Sequence, residues 1–230
     1  MKEWILLFKK DTILDVIALS LQVSLTALLI GSLVGILIGT LLGIYRFKGK
    51  NFILSIVYTM MGFPPVLIGV IVYLLLSRKG VFGFAELLFT PTAMIIAQVI
   101  LVTPIIMGLT YSAVSSNVAK YSSAALTLGA NKLQLWTVLL RQSGKGIITA
   151  CLTAFGRAIS EVGAVMLVGG NIEGETRVMT TSIILETRQG HFDVALALGA
   201  VLLLISFLIN FFILWRFMLR KTPGQEVIAL

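Results

Sequence analysis

The stretch GRAISEVGAV, residues 156–165, places Arg157 and Glu161 inside a run that is otherwise apolar from Ile147 to Val168. Four residues make about one helical turn, so a continuous helix would set the two charges on one face, close enough to pair. Nine Leu, Ile, Val or Phe residues in this run favour membrane insertion by roughly 3–5 kcal/mol in total. An Arg and a Glu near the centre oppose it by roughly 5–7 kcal/mol. The helix would insert poorly alone, so its charged face should meet protein or a water-filled path. Thr153, Ser160 and the small residues Gly156 and Ala164 share or border that face at steps of three and four. Two readings stand at this point: a pathway or gate lined by Thr153, Arg157, Ser160, Glu161 and Ala164, or a buried ion pair that fixes helix register.

The rest of the chain has the composition of a membrane protein. Of its 230 residues, 58% are hydrophobic and 12% charged, and the mean hydropathy of +1.02 exceeds what a soluble core of this length would bury. Runs long enough to cross about 30 Å of hydrocarbon occur at 14–44, 52–76, 92–113, 147–168 and 194–215. An all-α membrane protein of about five spans is expected, with residues 1–230 forming one transmembrane domain and no room for a separate soluble one. The first run is too long for a cleaved signal and lacks a small-residue cleavage pattern. The single cysteine, Cys151, excludes an intrachain disulfide and reads as a packing residue.

Charge distribution orients the spans. Arg46, Lys48, Lys50, Lys120, Lys132, Arg141, Lys145, Arg216, Arg220 and Lys221 share one side with a single acid, Glu226. The other side carries seven basic and eight acidic residues. Lys and Arg gather on the cytoplasmic side, which puts the N terminus outside, and the loops at 46–50 and 114–146 and the tail after 215 inside. The net charge of +8 is then topological and faces anionic lipid, which makes nucleic acid a poor partner.

Gly31, Gly35, Gly39 and Gly43 recur every four residues and form a flat seam for close helix packing, within the protomer or across a dimer. Pro64, Pro65 and Pro104 lie within spans, where each removes a backbone donor and is expected to kink its helix. The loop AKYSSAALTLGANKLQLWTVLLRQSGKG, residues 119–146, has apolar residues at helical spacing on either side of Gly129. It reads as helix, glycine turn, helix, lying at the membrane surface. Lys132, Leu133 and Trp136 either face a cytoplasmic partner or anchor the loop to headgroups.

At this loop the chain resembles the permease subunits of ABC importers, whose motif runs Glu-Ala-Ala, three residues, Gly, nine residues, then Ile-x-Leu-Pro. Ala124, Ala125 and Gly129 match; Ser123 replaces the Glu, Leu139 stands at the Ile position, and Arg141-Gln142 replace Leu-Pro. The resemblance covers nearly the whole chain. It is strongest in FGRAISEVGAVMLVGGNIEGETRVMTTSIILET, residues 155–187, which is similar to the oxyanion branch of molybdate, sulfate and especially tungstate permeases. The resemblance implies a multi-pass protein of a bacterial or archaeal cytoplasmic membrane, acting as a pair of identical subunits. Two cytoplasmic ATPase subunits would dock beneath it, and an extracytoplasmic solute-binding protein would deliver the anion. It makes the turn around Gly129 a coupling helix, with Ser123, Ala124, Ala125, Gly129, Ala130, Lys132 and Leu133 meeting the ATPase.

The segment 169–193 reads as a short re-entrant or surface helix, either a contact for the binding protein or a solvated connector, with Asn171 ending a helix. His191, the only histidine, has no partner spacing for a metal, and no cofactor is expected. The GKG at 144–146 lacks the upstream glycine and the hydroxyl residue of a phosphate-binding loop, so ATP should be hydrolysed by another chain. Without an HExxH or Gly-x-Ser-x-Gly pattern, an enzyme is not expected. The rival function is a secondary anion carrier or channel with Arg157 and Glu161 as a relay, opposed by the odd span count and the lack of an inverted repeat.

Overall fold

The computed structural model describes residues 11–217, so Lys2, Glu3, Lys9, Lys10, Arg220, Lys221 and Glu226 of the charge census lie outside the described residues. Among the described residues the elements are α1 (Asp11–Ile44), α2 (Lys50–Met61), α3 (Pro65–Leu76), a 3-10 turn (Gly83–Ala85), α4 (Pro91–Thr127), α5 (Lys132–Ile159), α6 (Gly163–Gly169), α7 (Met179–Gln189) and α8 (Phe192–Phe217). Three helices, α1, α4 and α8, are long and apolar enough to cross a membrane alone, and five spans result if α2 with α3 and α5 with α6 each count as one.

The glycine seam of α1 faces α4. A Cβ on Gly35 would stand 2.9 Å from the Ile106 Cβ, one on Gly39 2.6 Å from the Met107 carbonyl oxygen, and ones on Gly31 and Gly43 2.7 Å from Val102 and Val114. Of the two packing alternatives for the seam, the protomer itself uses this face. With little hydrophobic drive between helices in lipid, such backbone approach supplies the van der Waals contact that holds α1 on α4.

The proline pair does more than kink its span. Pro65 has no N–H to continue the α2 ladder and its ring would meet the carbonyl four residues back, while Pro64 is held extended as the residue before a proline. The chain turns by 99° between α2 and α3, and Pro65 opens α3 at its first position. Pro104 behaves differently: α4 runs through it without interruption, and the Thr103 hydroxyl donates to the Val99 carbonyl at 2.7 Å. An expected kink is therefore a right-angle break in one case and no break in the other. The carbonyl that Pro104 leaves without its N–H partner is that of Ile100, four residues back, and α4 stays helical across it.

The helices flanking Gly129 are not separate surface helices. They are the ends of α4 and α5, which continue out of their spans as one helical hairpin. A buried core joins Val23 of α1, Ile68 and Val72 of α3, Met94 and Ala97 of α4, and Ala164, Val165 and Val168 of α6. α8 buries little of itself, with Leu203, Phe207, Phe211 and Phe212 exposed, leaving a face suited to lipid or to another subunit.

Candidate functional site

The helical path ends at Ile159, with Ser160 as its cap, so Arg157 and Glu161 do not share a face and the expected pair does not form. Arg157 is exposed and Glu161 buried; among the described residues Arg177 pairs with Glu173, and His191 contacts Glu186. No proline makes this break. The Ser160 hydroxyl donates to the Gly156 carbonyl at 2.7 Å and the Arg157 carbonyl at 3.3 Å, and Gln98 of α4 donates its amide to the Ala158 carbonyl at 3.0 Å. Carbonyls left over at a helix end must find donors when buried, and side chains supply them here.

On the far side of the break, the Val162 side chain offers α6 no cap. The Glu161 carboxylate takes that place, accepting the Ala164 N–H at 3.1 Å, while the Glu161 carbonyl accepts the Thr180 hydroxyl of α7 at 2.9 Å. Ser20 of α1 accepts the Met179 N–H at 2.8 Å, which ties the start of α7 to the same node. Ser20, Ser24, Gln98, Glu161 and Thr180 line a small polar cavity of about 10 Å³. The break is thus a polar junction of α1, α4, α5, α6 and α7 within an apolar interior. The 55° bend between α5 and α6 is held by these bonds.

The five candidate pathway residues fall into two groups. Thr153, Arg157 and Ser160 share an exposed face of α5; the Thr153 hydroxyl is turned back onto the Thr149 carbonyl at 2.9 Å, leaving Arg157 as the exposed charge on that face. An exposed arginine in a span is costly against lipid, so the face belongs against water or protein. Glu161 and Ala164 point inward. Ala164 is fully buried and meets Gly69 of α3, where a Cβ would stand 2.7 Å from the Ala164 Cα. The second halves of the two broken spans, α3 and α6, therefore pack on each other. Pattern and spacing do not single out Gly69, Gln98 or Thr180, although an amide inside the apolar 92–113 run is a visible signal.

At the other end, α4 closes with a glycine-centred stop. Gly129 has φ +78, Ala130 N–H donates to Ala125 at 3.0 Å, and Gly129 N–H donates to Leu126 at 3.0 Å, the bond pattern of a Schellman cap. Two residues later Asn131 and Gln134 form a reciprocal capping box, at 2.9 and 2.8 Å, which starts α5. Two caps back to back make a short, fixed bend. Ser123, Ala124, Gly129, Lys132 and Leu133 are exposed and Ala125 and Ala130 half-buried, with Leu128 at 88% and Leu133 at 77% exposure offering apolar surface at the tip. Trp136 donates its indole N–H to the Tyr45 hydroxyl at 3.3 Å, so it braces the hairpin against the α1–α2 connection.

In the 169–193 segment Gly170 caps α6 in the left-handed region, with Asn171 following at φ 53. α7 buries Met179, Thr180, Thr181 and Ser182, so this stretch is partly built into the bundle. His191 Nδ1 lies 2.9 Å from Glu186 Oε2, and no group of three or more metal-ligating side chains occurs among the described residues.

The sequence of this broken-helix bundle matches a known family. The model for the binding-protein-dependent transport system inner membrane component covers residues 35–221. This chain belongs to that family. As an inner membrane permease component of an ABC importer it is similar to the tungstate uptake system permease protein TupB of Peptoclostridium acidaminophilum, 46% identical over 85% of this chain and 86% of that one. It is also similar to a probable anion ABC transporter permease protein of Haloferax volcanii, at 40% over 93% and 94%, and to the molybdenum transport system permease protein ModB of Escherichia coli K12, at 29% over 83% and 90%. A crystal structure of a bacterial ABC transporter importing the acidic polysaccharide alginate shares the fold, with a TM-score of 0.76 at 23% identity over 93% of this chain and 81% of that one. A permease of this family works with a separate ATPase and a substrate-binding protein, and ATP hydrolysis resides on the former.

Proposed function

We propose that this permease carries tungstate, two copies forming the translocation pathway, with residues 1–230 acting as one transmembrane domain. The similarity that carries the substrate reading is the 46% identity to a tungstate permease over most of both chains, supported by 39% identity over 73% of this chain to the TupB protein of Campylobacter jejuni. Thr153, Arg157 and Ser160 line the pathway from each copy, and Arg157 supplies a positive potential for the anion. Glu161 and Ala164 serve the gate from behind, by holding the break that aims this face. At the hairpin, Ser123, Ala124, Ala125, Gly129, Ala130, Lys132 and Leu133 contact the ATPase, whose closure on ATP turns the hairpin and the α4 and α5 spans continuous with it. The test is radiolabelled tungstate uptake by the complete complex in the presence of molybdate or sulfate. Unlabelled tungstate is expected to suppress uptake at the lowest concentration; suppression by molybdate or sulfate at lower concentration reassigns the cargo to that ion. Uptake by the permease alone in a proton gradient would instead establish a secondary carrier.

The N terminus lies outside and the C terminus in the cytoplasm. Support comes from the basic residues of the 44–50 connection and the hairpin, which share one end of the bundle through Trp136 and Tyr45. With Cys151→Ser as background, a membrane-impermeant maleimide applied to intact cells is expected to label Glu175→Cys and spare Lys132→Cys. The reverse pattern would invert the topology.

A further inference from the structure

The α1–α2 connection carries a feature that transport does not explain. Arg46, Phe47, Gly49, Lys50 and Asn51, with Tyr111 of α4, line an open pocket of about 370 Å³, within the range of small-molecule sites. Gly49, at φ +90, takes the left-handed turn that brings Arg46 and Lys50 onto one concavity. Lys50 is held in place, its Nζ donating to the Tyr45 carbonyl at 3.2 Å and lying 5.1 Å over the Tyr111 ring. No carboxylate lines the pocket, and neither cation is among the ion pairs found in the described residues. Two like charges directed into one cavity repel each other, and a multivalent anion between them would turn that repulsion into attraction. The Asn51 side chain adds a neutral donor.

We infer that this pocket is a binding site for a tetrahedral oxyanion of the phosphate type, held between Arg46 and Lys50 with Asn51 beside them. Two sources carry that chemistry. One is the phosphate of an anionic phospholipid, because the pocket opens where the apolar α1 ends and the exposed Phe47 and Phe52 would reach acyl chains. The other is a free oxyanion from the aqueous side. Either occupant sits one residue from the hairpin brace, since Tyr45 bonds Lys50 through its carbonyl and Trp136 through its hydroxyl. The inference stands on this pocket, and its failure would leave the importer reading intact.

The full chain in phosphatidylcholine nanodiscs tests it by acetylation of Lys50 relative to Lys48, read by peptide mass spectrometry. One arm adds phosphatidylglycerol and the other inorganic phosphate. At least one is expected to lower the Lys50 to Lys48 ratio by about tenfold, as mass action gives for a site at ten times its Kd. Protection by phosphatidylglycerol alone assigns the lipid, by phosphate alone the free ion, and by both an oxyanion site open to either. Arg46→Gln, at an exposed position, is expected to abolish the protection. An unchanged ratio in both arms overturns the inference, as does protection that persists in Arg46→Gln.

Discussion

A Gly129→Pro permease is expected to reach the membrane in normal amount and, assembled with its ATPase, to lose about tenfold or more of its ATP-driven uptake, which a barrier increase near 1.4 kcal/mol suffices to cause. Gly129 sits at φ +78, whereas proline is confined near −65°, so the substitution cannot preserve the turn. It also deletes the N–H that bonds Leu126. Nothing lies within 4 Å of a Cβ at this position, so side-chain crowding is not the cause of the loss. That separation gives the experiment its discrimination. Gly129→Ala should cost roughly 1–2 kcal/mol for the left-handed backbone, while Gly129→Asn, which tolerates that region, should keep most of the uptake. The order Gly, Asn, Ala, Pro in uptake per ATP hydrolysed is the signature of a lever whose bend angle matters. Unchanged transport in Gly129→Pro would remove the hairpin from the coupling role.

The Gly129 turn is legible in the amino-acid sequence alone, because glycine at a helix stop followed by an Asn-x-x-Gln box is a local signal, complete within about ten residues. The apolar runs and the four-residue glycine spacing are local in the same sense, which is why the all-helical class and the seam on α1 can be read from patterning. The point where α5 stops is not legible in this way. Its terminators are Gln98, sixty residues away, and a serine folding back on its own helix, and no residue at 160–162 forbids a helix. The i to i+4 spacing of Arg157 and Glu161 therefore suggests a pair, yet the helix ends at Ile159 under the Gln98 bond to Ala158, and Thr180 of α7 holds the Glu161 backbone inward. Proline is an uncertain guide for a related reason. Pro65 follows a second proline and turns the chain, whereas Pro104 is absorbed by a helix packed against neighbours along its length. The continuation of α4 and α5 past the membrane is hidden because polarity marks the bilayer boundary, and a helix does not have to end there.

Gly69→Leu is expected to leave the permease folded and in the membrane while lowering uptake by about tenfold or more, because overpacking against a neighbouring helix costs roughly 1–3 kcal/mol. A Cβ at Gly69 would stand 2.7 Å from the Ala164 Cα and 3.3 Å from its carbonyl oxygen, and backbone cannot give way as a flexible side chain can. The strain must therefore separate α3 from α6. Since α6 is joined to α5 only through the three residues 160–162, whose geometry rests on Glu161 and Thr180, displacing α6 re-aims the face that carries Thr153, Arg157 and Ser160. Gly39→Leu supplies the contrast. Its Cβ would meet the Met107 carbonyl oxygen at 2.6 Å, but it lies in the seam that docks α1 on α4 over four successive contacts, so that variant is expected to lose membrane yield and not merely transport. Gly199→Ala, where a Cβ meets nothing within 4 Å, should change neither. If Gly69→Leu and Gly39→Leu lose yield alike, the α3–α6 contact is scaffold and the broken spans do not aim the pathway. If yield survives only in Gly69→Leu, the two half-helices move as a unit separable from the bundle that carries them.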